Sequence, residues 1–523
     1  MEFDLLVRGG TVLDGTGGTP VRVDVGVLGG RVAEVGRLAA ATAGTVVDAT
    51  GLVVSPGFID AHTHSDLVPF YPEELGDVAA ASVRQGVTTE VPGNCGLSPF
   101  PRHRGPGDDP ALGIWPAVAR RAFAGVAAFR SAADERGSML VNLAPLVGHG
   151  TLRSAVLGEE GRPATAEEVA AVCRLTEQAM DEGAFGVSTG LIYAPGIYAE
   201  TDELVAVATV AGRHGRPYTS HMRDEGDRVE PSVAETLQIG RTSGAPVQIS
   251  HHKVTGRRNW GRSAETLRMI GDARAAGVDV LLDYYPYTAG CTMLQALLPP
   301  WLLAAGPEPA VTALAERSVL DRLRVDYGEE RSNWQNFPAL LGWDKIVAAG
   351  AGSGAGRSIA ELAAAGPGDE VDALARVLLA DPDTTCFVHG MDEREVAVIG
   401  AQPFAMVGSD GDPVEGMQHP RTAGTFAKVL AGAGGDLTVL TDVVRRATSL
   451  PADRFGLAGR GRLTRGAVAD LVVFDARRVR DRSTYTEGLL PPVGVPHVVV
   501  AGEPVVRDGV LTGARPGRVL AAG

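Results

Sequence analysis

Cysteine is scarce in this chain: Cys95, Cys173, Cys291 and Cys386 are the only four among 523 residues. Their spacing is wide and irregular, which argues against a disulfide scaffold and fits a reducing compartment. Long hydrophobic runs are lacking too. No stretch of eighteen uncharged apolar residues occurs, so no membrane-spanning helix is expected. The opening Met-Glu-Phe-Asp lacks the basic-then-apolar pattern of a signal peptide, and the expected location is the cytoplasm. Positive charge is short: 48 Lys and Arg stand against 63 Asp and Glu, a formal net charge of −15. Nucleic-acid binding needs a concentrated basic face. Only short clusters such as Arg120-Arg121 exist, so no nucleic-acid partner is expected.

What is present is core-forming material and glycine. Hydrophobic residues make up 45%, ample for a buried interior. The 68 glycines follow no Gly-X-Y period, so they mark turns rather than a collagen-like repeat. The length exceeds the usual single core and suggests one large domain plus something smaller.

Both ends of the chain read as short strands. Phe3–Arg8, Val21–Leu28, Arg31–Val35 and Val46–Val54 are apolar or alternating, and so are Val468–Phe474, His497–Val500 and Pro504–Val510. Small sheets at opposite ends need partners for their apolar faces. The economical arrangement pairs residues 1–55 with 461–523 in one small β domain. Between them, 56–460 alternates short apolar strands with Ala-rich helices. Thr165-Ala-Glu-Glu168 is a capping box that predicts a helix to about Asp181. Strands follow at Phe185–Ser188, Tyr218–His221, Val247–Ser250 and Val280–Tyr285, each separated by a helix. Further strands fit at Val53–Ile59, Thr88–Val91, Met139–Leu143, Cys386–His389 and Phe404–Val407. Strand–helix units at this interval imply a parallel sheet with helical crossovers. The expected fold is α/β, a TIM-like (β/α)8 barrel. Nine candidate strands are one too many for it, so one of the last three lies outside the ring. Residues 303–380 are the least regular and suggest an insertion or lid.

Chemistry-bearing residues recur at the C-terminal ends of these strands. His62 and His64 in Pro56-Gly-Phe-Ile-Asp-Ala-His-Thr-His64 sit at i and i+2 on extended chain, so they project together and can grip one cation. Cys95 follows its strand in Gly93-Asn-Cys-Gly96. His221 ends Tyr218–His221, His251 ends Val247-Gln-Ile-Ser-His251, and Asp410 ends Met406-Val-Gly-Ser-Asp410. A lone cysteine is ordinarily a small core residue, and a lone Asp before Gly is ordinarily a turn. Jointly they carry more. In a parallel barrel these ends share one face, where active sites lie. Thiolate, imidazole and carboxylate are the ligand types zinc accepts. Lys253 lies one alternate position beyond His251, and Tyr285 and Tyr287 stand just past a strand as wall candidates. His149 and His389 also lie beyond strands.

With those residues in view, the chain resembles the N-acyl-D-amino-acid deacylases (D-aminoacylases) of the metal-dependent amidohydrolase superfamily. The matching segments are the His62-Thr-His64 motif, Gly93-Asn-Cys-Gly96, Phe185-Gly-Val-Ser-Thr-Gly-Leu191 with Tyr193, Ser220-His221 and Ile249-Ser-His-His-Lys253. They continue with Tyr285-Pro-Tyr287, Gly408-Ser-Asp-Gly411, His419-Pro-Arg421 and Thr448-Ser-Leu-Pro-Ala452. The resemblance implies the same barrel and terminal β domain. It implies that Cys95, His221 and His251 form a tight zinc site. It further implies that His62 and His64 serve a weaker second metal position, with Cys95 able to bridge, and that Asp410 is the catalytic acid/base. Many superfamily members carry a carboxylated lysine on the fourth strand; Phe185–Ser188 supplies none, as in the deacylase branch.

The implied reaction is amide hydrolysis of a small N-acyl-D-amino acid, giving a carboxylic acid and a D-amino acid. Such a substrate needs a cation for its α-carboxylate. Lys253 is the candidate, with Tyr193 and Tyr285 as hydrogen-bond donors. Rival readings are a cyclic amide or imide hydrolase of the dihydroorotase or hydantoinase kind, and a deacylase of larger acylated peptides. In the latter, 303–380 and the loop at 100–115 would shape a roomier pocket. The last rival is a non-catalytic metal-binding protein. Composition leaves the oligomeric state open.

Overall fold

The computed structural model describes residues 2–102, 114–137, 139–352, 354–414 and 416–523. Most of the expected 100–115 loop therefore lies outside the described residues. Among those described, no helix is long and apolar enough to cross a membrane.

Both termini meet in one sheet. The first strand, Glu2–Val12, pairs antiparallel with Val21–Leu28 and parallel with Thr42–Asp48 and Val53–Pro56. Leu471–Phe474 then pairs antiparallel with Val53–Pro56, and His497–Val500, Glu503–Arg507 and Val510–Leu511 extend the order outward. Alternation decides the face. Leu5, Val7, Val25, Val27, Leu471 and Val499 bury together, so residues from both chain ends close one small core. The expected single strand Val46–Val54 is two strands, because Gly51 turns the chain at φ +81°.

The middle of the chain closes a ring of parallel strands. Phe58–Asp60, Val87–Glu90 and Asn142–Leu143 pair in one run. Val147–Gly148, Val187–Gly190, Tyr218–His221, Val247–Ile249, Val280–Tyr284 and Ala405–Val407 pair in another. The runs join because Asn142–Leu143 and Val147–Gly148 are two halves of one barrel strand. Pro145 lacks an N–H and breaks the ladder between them. On either side, Ala144 N donates to Glu90 O at 2.8 Å and Val147 N to Gly186 O at 3.0 Å. The last strand returns to the first: Ala61 N donates to Val407 O, and Asp410 N donates to His62 O at 2.8 Å. The ring thus has eight members, and the fold is a TIM-like (β/α)8 barrel with a small β domain formed by both termini. Ile59, Val91, Leu146, Leu281 and Met406 come from five of these strands and their edges, yet form one buried cluster. Only the inside of a closed ring allows that.

The outer helices follow the predicted pattern. Ala166–Asp181 starts at a complete capping box, with Glu168 N donating to Thr165 Oγ1 and Thr165 N to Glu168 Oε2. The surplus strand is Thr385–Val388. It pairs antiparallel with Gly290–Met293 and Ile346–Ala348, off the barrel. Helices Pro307–Ala313, Arg317–Tyr327 and Glu370–Ala380 pack beside this small sheet around Leu297, Leu323, Leu374 and Leu378. The irregular stretch noted in the sequence therefore has its own core.

Candidate metal centre

Because all barrel strands run parallel, their C-terminal ends open on one face. His62 and His64 follow Phe58–Asp60, Cys95 follows Val87–Glu90, and His221 closes its own strand. His251 follows Val247–Ile249 and Asp410 follows Ala405–Val407. The chain must turn sharply to aim them inward. Cys95, His251 and Asp410 all have left-handed backbone, at φ +53°, +34° and +52°. Only two other described non-glycine residues do, Ala501 and Asp508. Such conformations cluster at functional sites, where the surrounding fold over-determines them. The glycines flanking Cys95 are equally constrained. A side chain on Gly93 would meet Leu146 O at 2.3 Å, and one on Gly96 would meet Gly190 N at 2.7 Å.

These turns bring the predicted atoms together. Cys95 Sγ lies 3.4 Å from His62 Nε2, 3.4 Å from His251 Nε2 and 3.6 Å from His221 Nδ1. Asp410 Oδ1 lies 3.3 Å from Nε2 of both His62 and His64. Ligand atoms of His62, Cys95, His251 and Asp410 all fall within 4.8 Å of one another, as do those of His64, Asp410 and Asp412. Every member is buried except the half-buried Asp412.

Four residues not singled out as site residues from the sequence hold this cluster in place. Ser188 accepts from Gly96 N at 3.0 Å and donates to Gly93 O, clamping the Cys95 turn from the fourth barrel strand. Asp283 accepts from His251 N at 2.8 Å and stands 3.3 Å from His62 Nδ1. Glu225 Oε1 faces His251 Nδ1 at 3.0 Å and Lys253 Nζ at 2.8 Å. A carboxylate on one ring nitrogen orients the other toward an ion. Arg421 grips Asp410 Oδ2 at 2.6 Å and Asp412 Oδ2 at 2.5 Å, leaving Asp410 Oδ1 to the histidines. Asp283 had a sequence signal: a charge inside the apolar run Val280–Tyr284 is costly unless paired. Glu225 had no local signal, because His251 and Lys253 lie on the next strand–helix unit; Arg421 stood in the His419-Pro-Arg421 segment, but nothing there shows that it turns back onto Asp410 and Asp412.

Above the cluster opens a cavity of about 740 Å³, lined by His64, Cys95, Tyr193, His221, His251, Lys253, Tyr285, Asp410 and Arg421 among others. Lys253 reaches it but is not a free charge, since Glu225 pairs with it. Tyr285 stands between the two cations, its ring 4.9 Å from Arg421 and 5.7 Å from Lys253. The remaining candidates turn elsewhere. His149 pairs with Glu203 at 2.8 Å, His252 with Thr266 at 2.9 Å, and Tyr287 donates to Asp481 at 3.1 Å. His389 stacks edge-on against Tyr485.

The donor set suits a soft-to-borderline cation. Burial drives His221 well below its ordinary pKa, and burial with Lys253 does the same to His251, so both imidazoles are neutral. His221 Nε2 is buried and finds no hydrogen-bond partner among the described residues. Burial pushes the Cys95 thiol well above its ordinary value, and Asp410 adds to the push. A thiol packed against three imidazoles and a carboxylate is poorly placed as a neutral core group, whereas a metal ion reverses that balance by stabilising the thiolate. Burial also pushes the Asp410 carboxyl up, but the Arg421 guanidinium, helped by the hydrogen bond from His64, outweighs it and holds it well below the usual carboxylate range.

The amidohydrolase family model matches residues 45–316 and 356–506. The chain belongs to the amidohydrolase family. Among curated amidohydrolase relatives, a D-aminoacylase of Alcaligenes xylosoxydans xylosoxydans is 40% identical over 99% of this chain and 98% of its own. An N-acyl-D-glutamate deacylase of the same organism is also 40% identical, over 99% and 96%. The crystal structure of N-acyl-D-glutamate deacylase from Bordetella bronchiseptica, complexed with zinc and a phosphonate mimic of the tetrahedral intermediate, superimposes with a TM-score of 0.83 at 37% identity, covering 100% of both chains. This chain is accordingly a metal-dependent amidohydrolase, and its barrel and terminal β domain are those of the family.

Proposed function

We propose that this amidohydrolase cleaves the amide bond of N-acyl-D-amino acids, using zinc held by Cys95, His221 and His251, with His62 and His64 beside a second, weaker metal position. The observation that carries the reading is the convergence on Cys95 Sγ of three imidazole nitrogens at 3.4–3.6 Å, with Asp410 alongside, on the floor of a cavity that also holds Lys253 and Arg421.

Amides resist water because the carbonyl is weakly electrophilic and the amine leaves poorly. Bound zinc supplies Lewis-acid polarisation and eases deprotonation of water. Asp410 does the proton work: it takes a proton from the attacking water and returns one to the departing nitrogen as the C–N bond breaks. Arg421 holds one of its oxygens, so the other stays aimed at the histidines. The products are a carboxylate and a free D-amino acid. Lys253, shared with Glu225, and Arg421, shared with Asp410 and Asp412, are the cations that face the α-carboxylate, with Tyr285 between them. Burial, opposed by Arg421, raises Tyr285 well above its ordinary pKa and keeps it a neutral hydrogen-bond donor. Tyr193 packs edge-on against His221, 5.2 Å between ring centres, as a wall of the reacting space. Ser188 occupies the strand on which a cyclic-amide hydrolase of this superfamily would carry its lysine, and its engagement with the Cys95 turn weighs against that rival.

Metal analysis paired with a panel of N-acetyl-D- and N-acetyl-L-amino acids tests this. Zinc should copurify, the D series should be turned over, and Asp410→Asn should keep the metal while kcat falls about 100- to 10,000-fold. Near-normal turnover by that variant, or cleavage confined to cyclic amides, would overturn the reading.

A further inference from the structure

The cavity over the histidine cluster does not end at Tyr193. A second space of about 550 Å³ adjoins it, and Leu97, Ile114, Tyr193 and Met293 line both. Ala296 and Leu303 form part of its far wall. Ser154, Glu159 and Gln295 are its polar side chains, and the first two are bonded to each other at 2.7 Å. The two spaces differ in character. Lys253 and Arg421, the cations of the first, lie past the strands Val247–Ile249 and Ala405–Val407. The second lies past Val87–Glu90, Val147–Gly148 and Val187–Gly190, and no lysine or arginine lines it among the described residues.

We infer that the second space receives the acyl chain, and that this enzyme is built for N-acyl-D-amino acids whose acyl group is a medium-to-long apolar chain. The inference rests on the deacylase reading above and deepens it. An N-acyl amino acid has two arms leaving the amide. One bears the α-carboxylate and turns to the side of Lys253 and Arg421, the cations lining the first space, which Glu225, Asp410 and Asp412 hold in place. With the carbonyl over Cys95 and the histidines, the other arm leaves on the opposite side, over Tyr193. An acetyl group ends there. A longer chain continues between Leu97, Ile114 and Met293 toward Ala296 and Leu303, and each methylene taken out of water strengthens binding about fourfold. Tyr193 keeps its place at the junction because its hydroxyl is hydrogen-bonded to Thr292 Oγ1 at 3.0 Å.

The test compares kcat/KM of the zinc-loaded enzyme for N-acetyl-, N-butyryl-, N-hexanoyl- and N-octanoyl-D-leucine. A parallel series lengthens the D-side chain under a constant acetyl group. The expected result is a rise of about 100-fold or more from acetyl to octanoyl. Ala296→Phe, which fills the second space, should lower the octanoyl-to-acetyl ratio at least about tenfold, and Leu303→Trp should act in the same direction. A flat or falling acyl series, or a gain that follows the side-chain series instead, overturns the inference while leaving the deacylase reading intact. Failure to cleave any N-acyl-D-amino acid, acetyl included, overturns both. The wild-type series decides the matter whether or not either variant folds.

Discussion

Cys95, His251 and Asp410 each sit in backbone that costs a non-glycine residue on the order of 1–3 kcal/mol. The turns persist because side chains elsewhere pin them: Ser188 at Cys95, Asp283 at His251, and Asp60, which accepts from Ser409 N at 2.8 Å, at Asp410. Removing a pin should therefore loosen a converging side chain without touching it. Ser188→Ala is expected to weaken zinc binding about 10- to 100-fold, read by competition with a chromophoric chelator, while excess zinc restores much of kcat. Unchanged affinity would mean that the turn is held by its glycines alone. At this scale the sequence was a good guide to which side chains converge and a poor one to their supports. A ligand at a strand end follows from strand direction and the period of two. Glu225 beside Lys253 and Arg421 beside Asp410 are matters of tertiary geometry. Lys253, the candidate cation for the α-carboxylate, is half of an ion pair with Glu225, which its own segment does not reveal.

The elements show why local pattern stops where it does. Tyr218–His221 agrees with its predicted bounds, and Val247–Ile249 and Val280–Tyr284 end one residue short, because short, fully buried segments flanked by helices on both sides admit little else. Thr385–Val388 carries the same texture and lies outside the ring; nothing in its residues distinguishes an antiparallel partner from a parallel one. The helix Ala166–Asp181 provides a quantitative check on the reading of caps. Thr165→Ala should cost about 1 kcal/mol in denaturant unfolding and leave kcat unchanged. Glu168, held at about 2 by Arg162 and by Thr165 N, contributes stability that is complete above its ordinary 4.5 and is lost as pH falls through 2. At roughly a quarter exposed, that contribution stays below about 1 kcal/mol. Glu168→Gln should thus lower stability at pH 7 and match the parent near pH 2. Equal stabilities at pH 7 would deny the cap any role.

For the whole molecule, the ring is what makes the chemistry possible. His62, Cys95, His221, His251 and Asp410 are spread over most of the chain, and closure of eight parallel strands sets them around one point. An ion bound there and not in the unfolded chain stabilises the fold by mass action, about 4 kcal/mol at a thousandfold excess over Kd. Stripping it with a chelator should lower Tm by several degrees, and adding zinc back should restore it. Cys95→Ala should show a Tm indifferent to both treatments. A wild-type Tm unmoved by chelation would indicate that the donors are held apart by packing alone.

The central claim, that a cysteine thiolate and barrel histidines share one zinc ion, is tested most directly by zinc K-edge X-ray absorption on the zinc-loaded protein. The account predicts one sulfur neighbour at about 2.3 Å with nitrogen or oxygen neighbours near 2.0–2.1 Å, and loss of the sulfur in Cys95→Ala. A fully occupied wild-type site with only nitrogen and oxygen around the metal would contradict it.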